Sequence, residues 1–261
     1  MSTTEAVRTI AVRPVGGSTV ILEIGGLRLI TDPTFDPPGD LGEGMPRRTV
    51  PPALAAADVG PVDIALVSHD QHPDNLDAAG RALLARIPLV LTTTEGAERV
   101  GGSARGLAPF EHLDVDRPDG GRLRVTALPA RHGPPGAEDV LGPVVGFLLS
   151  GDGVASVYIS GDNASVDVVR EIVERVGPVD VALLFVGGAS APQYFAGAPL
   201  TLTDERAVEA ARMLGARAVV PVHCEGWTHY TQDTASLVAA FAAAGRTELL
   251  AVVPPGTSVL L

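Results

Sequence analysis

The sequence predicts an α/β protein whose sheets are covered by helices on their outer faces. Short apolar segments of strand length recur from residue 19 to residue 223. From residue 76 onward, segments with helical periodicity alternate with them. Strands that are separated by helix-length segments are typical of sheets with helices packed against them. Together these patterns indicate the α/β class.

The first third of the chain has the pattern of β-structure. Residues 19–24 and 27–32 alternate in polarity and flank Gly25-Gly26, which is the pattern of a two-stranded hairpin with a tight turn. The Pro/Gly-rich segment 32–46 follows, and its length favours a loop with a function. The later predicted strands are 63–68, 88–93, 124–129, 144–150, 156–162, 180–188 and 218–223.

Four later segments are predicted to be helical. Thr203 is a predicted N-cap, and Asp204 and Glu205 complement the positive end of the helix dipole. Several of these segments end in glycine, which favours a helix C-terminus. The segments are 76–87, 165–177, 203–215 and 234–245. Since no linker or low-complexity tract interrupts the chain, we expect a single domain over residues 1–261.

The composition excludes several classes of protein. With 261 residues and one cysteine, the chain has no internal disulfide, which favours a reducing compartment. No apolar run approaches the ~18–20 residues that span a bilayer, and residues 1–14 lack a secretory pattern. A net charge of −12 argues against long nucleic acids. We therefore expect a cytoplasmic protein with a small-molecule substrate, no nucleic-acid or membrane partner, and a composition compatible with a homo-oligomer.

The histidines are concentrated after predicted strands. Five of the six follow such strands or lie in the loops that they open: His69, His72, His132, His223 and His229. Asp162 ends a strand in the same way. A single such residue is usually a solvated or capped side chain, but strand ends converge at one sheet edge, so the set points to a shared site. Imidazole and carboxylate ligands suit zinc, manganese or iron.

Five segments occur in an order that resembles a known family. They are 16–39, 67–77 (VSHDQHPDNLD), 127–133, 158–163 (YISGDN) and 219–230 (VVPVHCEGWTHY). The chain is similar to the metallo-β-lactamase superfamily, in its lactonase-like branch of the ascorbate-phosphate lactonase and N-acyl-phosphatidylethanolamine phospholipase D type. The resemblance implies an αββα four-layer sandwich with the metal site along one sheet edge.

The resemblance also implies a set of metal ligands. His69 matches the first histidine of the family's HxHxDH loop, and His132 matches the histidine after the next ligand strand. Asp162 matches an aspartate that bridges two metals, and His223 matches the last histidine ligand. Asp32 matches an acidic position near the site, or alternatively is a turn residue before a proline.

The metal-binding loop departs from the family pattern. Gln71 stands where the second histidine is expected, and His72 follows it. Asp74 serves as the loop aspartate across a one-residue insertion, which puts Asn75 at the third histidine position. Either His72 substitutes, giving a six-ligand site of His69, His72, Asp74, His132, Asp162 and His223, or a subset holds one metal, or metal binding is poor. We expect a single metal, with a second one as the alternative.

The function implied by the resemblance is that of a metal-dependent hydrolase. A metal-bound hydroxide would attack a small lactone, ester or phosphoester, with one or two divalent ions. Zinc is the favoured ion, with manganese or iron as alternatives. Asp74 and His229 are the candidate catalytic side chains. Asp74 would orient the hydroxide or accept its proton as a general base, and His229 would contact the substrate or donate a hydrogen bond to a metal ligand. The alternatives are a biosynthetic enzyme that uses the pocket for a non-hydrolytic step, and a metal-poor binding protein.

Overall fold

Two β-sheets lie face to face in the computed structural model, which describes residues 9–40, 42 and 45–261. Residues 1–8, 41, 43 and 44 lie outside the described residues. They include most of the segment for which no secretory signal was predicted, and part of the 32–46 loop. The strands of the first sheet are β1 (Ala11–Gly16), β2 (Thr19–Ile24), β3 (Leu27–Thr31), β4 (Ile64–Leu66), β5 (Leu89–Thr92), β6 (Ala104–Gly106) and β13 (Val259–Leu260). Their order is β13-β1-β2-β3-β4-β5-β6.

The second sheet combines antiparallel and parallel pairing. Its strands are β7 (His112–Asp116), β8 (Arg122–Pro129), β9 (Val145–Ser150), β10 (Val157–Ile159), β11 (Val181–Phe185) and β12 (Ala218–Val222). The order is β12-β11-β10-β9-β8-β7, with parallel pairing among β10, β11 and β12.

Helices cover the outer faces of both sheets. On the first sheet lie α1 (Ala78–Leu84) and α2 (Thr94–Val100), and on the second α4 (Val166–Val176), α6 (Asp204–Leu214) and α7 (Thr234–Ala243). Two short helices occur in loops, α3 (Glu138–Leu141) and α5 (Pro192–Phe195), with 3-10 turns at Ala56–Asp58 and Thr247–Leu249. One apolar core lies between the sheets and a further core lies under each helical layer. The predicted αββα sandwich is confirmed.

Several local predictions are also confirmed. The β2–β3 hairpin pairs Ile24 with Leu27 around two glycines of positive φ. The Thr203 side chain accepts a hydrogen bond from the Arg206 amide and caps α6, which ends at Gly215 in the left-handed conformation.

The elements that the patterns did not predict lack a strong signal. Strand β1 contains Pro14, which removes a ladder donor. Strand β7 lies at a sheet edge with its residues exposed or half-buried, so it carries little apolar signal. Helix α2 contains Gly96, and glycine has a low helix propensity, which weakens the helical signal. Also unpredicted are β6, β13, α3 and α5, which have two to four residues each.

The site lies at one end of the sandwich, where strands of both sheets end. Among the helices of the described ranges, none is long and apolar enough to cross a membrane.

Candidate metal centre

Four strands place the candidate ligands. His69 follows β4 of the first sheet, whereas His132, Asp162 and His223 follow β8, β10 and β12 of the second. His223 comes directly after β12 with φ of 61°, so the chain turns sharply there. Because these strand ends meet at one edge of the sandwich, residues far apart in the sequence converge.

The first ligand cluster consists of His69, His72, His132 and Asp162. Its ligand atoms all lie within 4.8 Å of one another. His72 Nδ1 lies 2.8 Å from His69 Nε2 and 3.3 Å from His132 Nε2, and the latter lies 3.6 Å from Asp162 Oδ2. In a tetrahedral zinc site with Zn–N of ~2.05 Å, ligand atoms are about 3.3 Å apart. The described side chains therefore fit a metal ion.

The hydrogen bonds behind this cluster support the same conclusion. His132 Nδ1 donates to the Leu200 carbonyl at 2.8 Å, which leaves the Nε2 lone pair of the neutral ring directed into the cluster. His69 Nδ1 lies 2.9 Å from the Ser68 hydroxyl. Metal-binding histidines are commonly oriented by partners of this kind.

The second ligand cluster consists of Asp74, His223 and His229. Asp74 Oδ2 lies 3.1 Å from His223 Nε2 and 3.0 Å from His229 Nε2. Asp162 connects the two clusters, because its Oδ1 lies 3.4 Å from His223 Nε2 while its Oδ2 faces the first cluster. The carboxylate of Asp162 thus lies between two groups of imidazoles.

Burial and neighbouring charges divide the histidines into two kinds. Burial and the adjacent rings of His72 and His132 hold the pKa of His69 well below its usual value. Burial and His132 likewise lower the pKa of His72. For His223, burial lowers the pKa, but Asp162 and Asp74 outweigh it and raise the pKa to about 9. His69 and His72 therefore offer neutral imidazoles to a cation, whereas His223 is protonated at neutral pH when its carboxylates have no metal.

The structure places the extra loop residue before His72. Gln71 is exposed, and its Oε1 accepts a hydrogen bond from the Asp70 amide. His72 thereby lies where the second loop histidine was expected. Asn75, at the position where the family pattern expects the third histidine, donates to Asp162 Oδ1 at 3.2 Å.

His229 lies among the ligand atoms of the second cluster, where sequence reasoning had predicted a substrate contact. One feature of the sequence indicated this position. His229 follows His223 by six residues with Gly226 between them, and a turn there can bring both rings to one point. The side chain of His229 is 16% exposed, whereas that of His223 is fully buried. The exposed side of the second cluster is therefore at His229.

Asp32 lies behind the clusters and supports the loop. Its Oδ1 accepts a hydrogen bond from the Ser68 amide at 2.6 Å, and its own φ of 32° is in the left-handed region. Burial raises its pKa well above the usual value, with a further contribution from Asp162. Asp32 thus fixes the residue that precedes His69.

Asp70 is an anchor of the loop that sequence reasoning missed. Its carboxylate is 2% exposed and receives Arg99 from α2 at 2.6 Å and Arg81 from α1 at 3.3 Å. No sequence pattern singled out these two arginines, because Arg81 is an ordinary position of the predicted helix 76–87 and no helix was predicted at Arg99.

Three other polar or ionisable side chains lie outside the clusters. His112 is exposed on β7, and Tyr194 is 65% exposed in α5. Cys224 is packed in the outer core, and burial raises the pKa of its thiol to about 12.

Comparison with known proteins assigns the family. A beta-lactamase superfamily domain matches residues 27–224. A metal-dependent hydrolase of Pelotomaculum thermopropionicum is 31% identical over 220 residues, which cover 81% of this chain and 88% of that protein. An N-acyl-phosphatidylethanolamine-hydrolyzing phospholipase D of Caenorhabditis elegans is 28% identical over 84% of this chain and 64% of its own length.

A solved structure shows the same fold. The isothiocyanate hydrolase from Delia radicum gut bacteria superposes with a TM-score of 0.80 at 20% identity, covering 95% of this chain and 98% of that one. The matched domain and the bacterial relative assign the chain to the beta-lactamase superfamily, within a family of metal-dependent hydrolases.

Proposed function

We propose that this protein hydrolyses a small ester, lactone or phosphoester with two divalent metal ions, one in each ligand cluster. The observation that carries the proposal is the position of Asp162. One of its oxygens lies with three imidazoles of the first cluster, and the other lies 3.4 Å from His223 of the second. A carboxylate in this position suits a pair of cations better than it suits one.

The donor set favours zinc, with manganese or iron as alternatives. A divalent ion held there lowers the pKa of water and polarises the oxygen of an acyl or phosphoryl group. His69, His72 and His132 would hold the first ion, and Asp74, His223 and His229 the second. Asp162 would serve both.

The chain's own residues have distinct tasks in this scheme. Asp74 is buried, yet His229 and His223 outweigh burial and hold its pKa well below the usual value. It therefore stays ionised and acts as a ligand rather than as an acceptor of protons. The substrate would approach at His229 and His72, which are the partly exposed members of the clusters.

The substrate class is proposed from the resemblance and from the relatives. The nematode relative is named for hydrolysis of N-acyl-phosphatidylethanolamine, and the bacterial structure for hydrolysis of isothiocyanates. Both names describe hydrolysis, which supports that reaction class here. We propose the cytoplasm as the compartment, since the single cysteine is free.

Hydrolysis in ¹⁸O-labelled water tests the proposal. The zinc-loaded protein is assayed with a panel of 4-nitrophenyl esters, aromatic lactones and bis(4-nitrophenyl) phosphate. We expect ¹⁸O in the product, loss of turnover on chelation, and recovery with added zinc. Conversion without ¹⁸O would indicate a non-hydrolytic enzyme, and failure to retain zinc would indicate a metal-poor binding protein.

A further inference from the structure

A cavity of about 420 Å³ adjoins the candidate metal centre. Pro73 lines it and lies between His72 of the first cluster and Asp74 of the second. Trp227 lines it as well, and its ring centroid lies 6.2 Å from that of His229. The volume falls within the ~300–1,000 Å³ of small-molecule sites. The cavity therefore lies beside the loop and the turn that carry ligands of both clusters.

The charged groups of the cavity wall are engaged within the protein. Asp70 is paired with Arg81 and Arg99, as described above. Asp77 accepts the amides of Gly80 and Asp36, each at 2.7 Å. These contacts use the carboxylates to hold the wall together.

The other two charged groups are engaged in the same way. Asp36 accepts the amides of Ala78 and Ala79 at the start of α1, each at 3.1 Å. Arg48 is 5% exposed, donates to the Val50 carbonyl at 3.1 Å and lies 3.5 Å from Asp77. A charged substituent would thus compete with the existing partners of these groups.

Apolar side chains supply most of the rest of the lining. They are Pro37, Met45, Pro73, Leu76, Ala78 and Trp227, and Gly39 and the polar Gln71 complete the wall. Met45 is 46% exposed, which is unusual for a residue type that is mostly buried. Burial of apolar surface from a ligand against such a wall is favourable, whereas an unpaired charge there is costly.

We propose that this cavity binds a neutral apolar substituent of the substrate, such as a short alkyl chain or an aryl group. The inference deepens the proposed function and rests on it, because it names the substrate class of the same site. It also assigns a role to four described residues of the 32–46 loop, since Asp36, Pro37, Gly39 and Met45 line one side of the cavity.

The first test compares chain lengths. Each fully buried methylene is worth about fourfold in kcat/KM. The zinc-loaded protein should therefore prefer 4-nitrophenyl butyrate over the acetate by on the order of tenfold. Met45→Glu should remove most of this preference, so that kcat/KM falls much more for the butyrate than for the acetate. Val252→Glu is the matched control, since Val252 is 45% exposed and lies outside this cavity.

The second test does not require turnover. Trp227 is the only tryptophan in the sequence, so its fluorescence reports on this cavity. We expect 1-hexanol to shift the emission saturably and to bind at least tenfold more tightly than hexylammonium. Met45→Glu should weaken hexanol binding severalfold, whereas Val252→Glu should not.

The two tests distinguish a failure of the proposed apolar subsite from a failure of the proposed hydrolytic function. Binding of hexanol as described, without hydrolysis of any ester, would contradict the proposed function and leave the apolar subsite standing. Equal binding of hexylammonium and hexanol would overturn the subsite, as would equal effects of the Met45 and Val252 variants on hexanol.

Discussion

His229 supplies the second cluster with the imidazole that the family pattern places in the loop at Asn75. Asn75 instead donates its amide to Asp162 and keeps that carboxylate oriented. His229 takes the place of that histidine within the site but not in the sequence, because it lies in the turn after β12. Its Nε2 lies 3.0 Å from Asp74 Oδ2, close to a carboxylate that would share the same ion.

Replacing His229 with Gln is expected to weaken the second equivalent of zinc selectively. An amide is a poorer ligand for zinc than imidazole, so the second binding step should weaken by about 10–100-fold or more, with the first unchanged. Trp227 fluorescence during a zinc titration measures both steps. His112→Gln, at an exposed position of β7, is the control. Equal weakening of both steps would argue against two separate clusters.

His223 carries a pH-dependent contribution to the stability of the metal-free protein. Its folded pKa of about 9 lies above the ordinary value of 6.5, because Asp162 and Asp74 outweigh burial. The contribution is therefore full below pH 6.5 and is lost as the pH rises through about 9.

Chelated wild-type protein should lose about 1–3 kcal/mol of unfolding free energy between pH 6.5 and pH 9.5. Urea unfolding at both pH values measures the loss. His223→Gln should show a smaller loss, because its side chain does not titrate. An identical loss in the variant would assign the effect to other groups.

At the scale of elements, α1 and α2 hold the metal-binding loop through one buried carboxylate. Arg81 and Arg99 outweigh the burial of Asp70 and lower its pKa. The contribution of this carboxylate to the stability of the fold is therefore full above pH 3.8, its ordinary pKa. It is lost as the pH falls through the lower pKa of the folded state.

Arg99→Gln is expected to cost about 1 kcal/mol of unfolding free energy at pH 7. The arginine is partly exposed and Arg81 remains, so solvent screening limits the loss. The difference from wild type should shrink as the pH is lowered below 3.8 in denaturant titrations. Arg105→Gln, at an exposed position of β6, should have little effect. A difference that persists in acid would contradict this role of the Asp70 pair.

The sequence predicted the elements with strong local signals and the residues at strand ends. The β2–β3 hairpin has its glycine turn, and α6 has its Thr203 cap, so both could be located without tertiary information. The position of the inserted loop residue could not be located in this way. Only the packing of His72 against His132 shows that His72, and not Gln71, lies in the first cluster. The edge strand β7 was missed because its residues are exposed or half-buried.

At the scale of the whole molecule, the sandwich assembles the site from both sheets. One ligand-bearing strand belongs to the first sheet and three to the second, so neither sheet alone holds a complete cluster. Binding energy from the metals should consequently stabilise the packing of the sheets, since ligands that bind only the native state raise its stability.

The number of metal ions per chain tests the central claim most directly. Wild-type protein is loaded with zinc, freed of excess by gel filtration, and analysed by inductively coupled plasma mass spectrometry. Two ligand clusters that share Asp162 predict close to two zinc ions per chain. A value near zero after loading with either zinc or manganese would contradict the account, and a value of one would remove the second cluster from it.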